Sequence, residues 1–118
     1  MAEKKNEMIE EIEKNDEEND LVTVKFAKPV MYDGKEYAEL SFDFESLTGA
    51  DGLALEAEVE SLTNRAVIMP AYNSDYLVRM ATRACTTPVG ADIFNVMPLR
   101  AMNKIKQQAR NFLLSDAE

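Results

Sequence analysis

The chain contains no histidine and no tryptophan, and Cys85 is its only cysteine. An intramolecular disulfide is therefore impossible, and a metal site built from Cys and His is excluded outright. A lone thiol between Ala84 and Thr86 suits a reducing cytosol better than a secreted fold. Without histidine, general acid–base chemistry would fall to Asp, Glu, Lys or Tyr with displaced pKa values. No run of about 18 apolar residues exists, so no membrane span is expected. The N-terminus is acidic where a secretory signal would be basic and then apolar. These absences lead to the expectation of a soluble intracellular protein.

What is present is charge, unevenly spread over 118 residues with a net of -9. That length accommodates one small domain with a modest core and a tail. Residues 1 to 20 carry nine acids against three lysines, and residues 33 to 60 carry nine acids against Lys35 alone. Residues 61 to 114 reverse the sign, with seven basic side chains against Asp75 and Asp92. Such asymmetry speaks of association and solubility rather than of fold. The overall acidity argues against general nucleic-acid binding, which needs Lys and Arg to neutralise phosphates.

The segment "MAEKKNEMIEEIEKNDEEND" offers only Met8, Ile9 and Ile12 as sizeable apolar residues after Met1. It reads as an acidic, disordered, solvating tail over 1–20, or as a short helix that docks on a partner. A single α+β domain is expected over 21–116. Val22, Val24 and Phe26 alternate with Thr23 and Lys25, and Ala38, Leu40, Phe42 and Phe44 continue a second alternating run. Asp33-Gly34 between them is a strong hairpin signal, and Pro29, lacking an amide donor, marks the first strand as an edge or its end. The hairpin is expected over 21–45.

Three helices follow, at about 51–66, 74–85 and 99–114. Asp51 or Thr48 caps the first, whose stripe is Leu55, Val59, Leu62 and Ala66. Asn73 or Ser74 caps the second, with Tyr76, Leu77, Met80, Ala81, Ala84 and Cys85 as its apolar arc. Asp92 is a candidate cap for a short turn before Pro98. Leu99, Met102, Ile105, Ala109, Phe112 and Leu113 make one side of the last helix, while Arg100, Asn103, Lys104, Gln107, Arg110 and Asn111 make the other. The expected fold is α+β, a β-hairpin packed on a three-helix bundle behind an acidic tail.

No residue pattern supports catalysis. "LTGADG" lacks the spacing of a phosphate loop and reads as a turn and cap. Cys85 has no histidine to activate it and reads as a core residue. The acids from Asp33 to Glu60 have no calcium-loop spacing; they serve solubility, or form a nucleic-acid mimic or docking face. A basic last helix could meet that face in the same molecule or in the next copy. Met69, Met80, Met97 and Met102 fill core, or line an adaptable groove.

The order of elements resembles one family. Lys28-Pro29-Val30, the turn at Asp33-Gly34 and the strand "EYAELSFDF" come first. Leu47-Thr48-Gly49-Ala50-Asp51 then opens a helix, "LVRMATRACTTPVG" forms the middle helix, and "MPLRAMNKIKQQARNFL" closes the chain. Residues 21 to 114 are similar to the tail assembly chaperone family of long-tailed bacteriophages, prophages and phage-tail-like particles. The chain departs from the family at Leu99-Arg100-Ala101 and in its acidic N-terminal segment. The resemblance implies a non-catalytic factor without cofactor or metal, in the cytoplasm of a bacterial host. It implies the tape measure protein as client, the tail tube protein as a further partner, and a homo-oligomer as a form to consider. Client contact is then expected at Ile93, Phe94, Met97, Met102, Ile105, Ala109, Phe112 and Leu113. An acidic inhibitor and a structural tail subunit are the alternatives.

Overall fold

Asp33 and Gly34 both take positive φ, 50° and 77°, as a two-residue type I′ hairpin turn demands. In the computed structural model, whose described residues are 21–115, this turn joins β1 (Val22–Tyr32) to β2 (Lys35–Phe42). A 3-10 turn at Phe44–Ser46 leads into helix α1 (Gly49–Thr63), and a second at Pro70–Tyr72 leads into α2 (Ser74–Ala84). A third, Ala91–Asn95, precedes α3 (Leu99–Leu114). The architecture is the expected α+β one: an antiparallel hairpin followed by three helices, of which α2 and α3 pack against the strands. The expectation for residues 1–20 lies outside the described residues.

The strands pair from Val22 opposite Phe42 to Lys25 opposite Glu39, and again from Val30 opposite Tyr37 to Tyr32 opposite Lys35. Between these ladders four residues of β1, Phe26 to Pro29, face the single Ala38. Pro29 therefore neither ends the strand nor costs a ladder bond, because the bulge leaves it without a pairing duty. The same irregularity turns Ala38 to solvent, against the simple alternation expected of β2. Val24, Phe26, Val30, Leu40 and Phe42 supply the buried face. Phe44 leaves the strand but stays buried, stacked between Phe42 at 5.9 Å and Phe112 at 5.7 Å, and so ties the hairpin to α3.

Thr48 and Asp51 together form a capping box at the start of α1. The helix begins at Gly49 and stops at Thr63 rather than spanning 51–66, because Asn64 adopts the left-handed conformation at φ 59° and breaks the ladder. Leu55 and Val59 are buried, but Leu62 and Ala66 of the expected stripe are exposed, since among the described residues no element covers that end. Asn73, whose side chain accepts the Tyr76 amide at 2.9 Å, caps α2. This central helix packs on both α1 and α3 and buries Tyr76, Leu77, Met80, Ala81 and Ala84. Helix α2 ends one residue before Cys85, which turns extended and bridges Phe42. The Asp43 amide donates to Ala84 O at 2.8 Å and the Thr86 amide to Ser41 O at 2.9 Å, closing that end of the β2 edge.

Candidate functional site

The structure moves most of the expected client-binding residues into the core. Ile93, Ile105 and Ala109 are wholly buried, and Phe94 and Met97 nearly so. Ile105 and Ala109 form the inward stripe of α3 with Ala101, covered by the rest of the core. Ile93, Met97, Ile105 and Ala109 are packed among other core residues, whereas Phe94 keeps one edge on an open cleft. Met102, Phe112 and Leu113 are half-buried at the edges of that core. Leu99, expected on the same apolar side, stands outside it and is exposed.

Exposed apolar surface concentrates instead at the end of α1 and in the segment that joins it to α2. Ile68 is 85% exposed, and Leu62, Met69 and Tyr72 are each exposed by about three-fifths, at 59%, 60% and 60%. The backbone around them is fixed at several points. The Val67 amide donates to Glu60 Oε2 at 3.0 Å, and the Val67 side chain packs against the core. Pro70 begins a 3-10 turn in which Ala71 is buried, and the Ala71 carbonyl accepts from Arg110 Nε at 2.8 Å. The Arg110 guanidinium also lies 5.3 Å from the centroid of the Tyr72 ring, within cation–π range. Asn73 then caps α2. An anchored backbone thus holds Ile68, Met69 and Tyr72 outward.

Sequence reasoning reached this segment only at Met69, read as core or as lining an adaptable groove, because the stretch lacks helical or strand periodicity and contains Pro70. A signal was present, however. Val67-Ile68-Met69 is a run of three apolar residues outside any periodic element, and only one of them is needed by the core.

An open cleft of about 550 Å³ lies between α2, the turn before α3 and α3 itself. Val78, Phe94 and Met102 give it an apolar lining, and Arg79, Asp92 and Lys106 are charged members of its wall. Lys106 Nζ donates to Ser74 Oγ at 3.2 Å, one helical turn from the Arg110–Ala71 contact. Phe94 and Met102 are the two expected client-binding residues that reach this cleft. Phe112 lines a smaller one beside Val22 and Phe44.

The electrostatics pair the acidic helix with α2 rather than with α3. Arg79 lies 3.5 Å from Glu58, and Arg83 Nε donates to Asp51 Oδ1 at 2.8 Å. The Thr48 amide, followed by Arg83, holds the Asp51 carboxyl below its ordinary value. Burial pushes the Cys85 thiol up, against a smaller backbone hydrogen bond that lowers it. Asp92 does not cap its turn; its carboxylate accepts from the Tyr32 hydroxyl, which raises that phenol. Among the described residues no cluster of three or more His, Cys, Asp or Glu is placed to hold a metal ion, and no helix is long and apolar enough to cross a membrane.

No family model, curated protein or solved structure matches the chain.

Proposed function

We propose that this protein is a non-catalytic tail assembly chaperone that binds the tape measure protein and keeps it soluble during tail assembly. The observation that carries the reading is the anchored, outward-facing apolar set Ile68, Met69 and Tyr72, with Leu62 exposed at the end of α1. Exposed apolar residues gathered on one fixed segment mark a protein-binding surface more often than scattered ones do. The client contact belongs on this surface and in the cleft at Phe94 and Met102, not on the buried stripe of α3. A helical client would lay its apolar face there, as in helix-in-groove recognition. Each Å² of apolar area buried contributes on the order of 25 cal/mol before association costs. The sequence resemblance over residues 21 to 114 supplies the identity of the client class.

The acidic-inhibitor alternative loses ground on one observation. Glu58 faces Arg79, and Glu60 accepts the Val67 amide. Both carboxylates are engaged inside the domain, which leaves fewer for mimicry of a phosphate backbone.

Co-expression with the tape measure protein of the same tail operon tests the proposal, read by solubility and affinity capture. The client is expected to become soluble and to co-purify. Ile68→Asp with Met69→Asp is expected to abolish capture while leaving the thermal unfolding curve in place. A client that remains insoluble beside abundant folded protein would sink the chaperone reading.

A further inference from the structure

Helix α3 is cationic along its whole length. It carries Arg100, Lys104, Lys106 and Arg110, with no acidic residue between Leu99 and Leu114. Arg100 with Lys104, and Lys106 with Arg110, are like-charge pairs at i,i+4, a spacing at which repulsion destabilises a helix. The arginines of α2 are engaged by Glu58 and Asp51. Among the described residues none of the four basic groups of α3 has an ion-pair partner. Lys106 bonds the Ser74 hydroxyl and Arg110 the Ala71 carbonyl. Arg100 and Lys104 are exposed. A surface of this kind attracts polyanions, nucleic acid included.

We infer that the outer face of α3 is the docking surface for this chain's own acidic N-terminal segment, Glu3–Asp20. That segment brings nine carboxylates against three lysines. It joins the domain beside α3: Val22, at the start of β1, lines a cleft with Gln108, Asn111 and Phe112 of the helix. A span of 20 residues reaches roughly 60 Å when extended, and the 16 residues of α3 cover only about 24 Å, so the whole face is within reach. Tethering sets an effective concentration on the order of millimolar. A second copy offering its own acidic surface competes poorly, because each chain carries a net charge of -9. The segment neutralises the repelling pairs of α3 and keeps the helix from polyanions.

Paramagnetic relaxation in the full-length chain tests this inference. The spin label is attached through Glu11→Cys in a Cys85→Ala background, whose fold is checked by circular dichroism. At low salt, amide signals from Arg100 to Asn111 are expected to lose at least half their intensity. They are expected to recover at about 1 M salt, where the Debye length is about 3 Å. Arg100→Glu with Lys104→Glu should remove the effect; if that variant does not fold, Arg100→Gln with Lys104→Gln serves instead. Unattenuated α3 signals at low salt would overturn the inference. So would attenuation seen equally when spin label and isotope sit on separate molecules, which would assign the face to a second copy.

Discussion

Arg83 Nε donates to Asp51 Oδ1 at 2.8 Å, while the other oxygen of the same carboxylate accepts the Thr48 amide at 2.8 Å. One side chain thus closes the N-terminus of α1 and fastens it to the last turn of α2. Both partners favour the charged form, so the folded pKa lies below the unfolded one. The stability this contributes is present above the unfolded value of about 3.9 and is lost as pH falls through the folded value. Asp51→Asn is expected to lower the unfolding midpoint at pH 7, with the gap to the parent chain narrowing in acid. Circular dichroism melts at pH 7 and pH 3 check this; an unchanged gap would refute the linkage. Thr48→Ala, which deletes the reciprocal cap, is expected to lose about 1 kcal/mol.

The buried stripe and the exposed loop make opposite predictions for stability. Leu77→Ala and Ile105→Ala empty wholly buried sites and are expected to cost roughly 2–5 kcal/mol each in urea unfolding. Ile68→Ser, at 85% exposure, is expected to change stability by less than about 0.5 kcal/mol. A large loss at Ile68 would mean that the loop serves the core rather than a partner.

Tyr32 links the hairpin to the turn before α3 by donating to Asp92, and its hydroxyl accepts the Gly90 amide at 3.2 Å. A carboxylate that accepts from the phenol stabilises its protonated form, so the folded pKa is raised. The associated stability is present below the unfolded tyrosine pKa and falls as pH rises through the folded one. Asp92→Asn is expected to bring Tyr32 down toward its ordinary value while leaving Tyr76, raised chiefly by burial, where it is. Site-resolved NMR titration of the tyrosine rings distinguishes the two. Gly90→Ala should act like Asp92→Asn, because an added Cβ would come within 2.8 Å of Asp92 Oδ1 and 3.0 Å of the Tyr32 oxygen.

Cys85 is half-buried, and burial raises its thiol pKa. Since the thiolate is the reactive species, alkylation by iodoacetamide near neutral pH is expected to be slower than for a small free thiol. Unfolding in urea should abolish the difference. Equal rates in folded and unfolded chain would show that the Phe42 bridge does not shield the sulfur.

Local chemistry alone determined a good part of this protein. Asp33-Gly34 was legible as a hairpin turn because few residues accept two successive positive φ values. Thr48, Asp51 and Asn73 were legible as caps because short polar side chains satisfy the first free amides of a helix. The bounds of α3 and the buried arc of α2 followed from 3.6-residue periodicity. Tertiary packing decided the rest. Periodicity marks which side of a helix is apolar but does not say whether that side meets its own hairpin or a partner. Ile93, Ile105 and Ala109 therefore passed from expected client contacts to core, because the packing of α2, α3 and the hairpin leaves them in the shared buried cluster. The bulge opposite Ala38 and the loss of Leu62 from the α1 stripe depend on neighbours distant in sequence. The outward placement of Ile68, Met69 and Tyr72 depends on contacts that Glu60 and Arg110 make only in the folded chain. Local rules fix where elements begin and end, whereas the competition for a limited buried volume decides which apolar side chains are left for solvent or a partner.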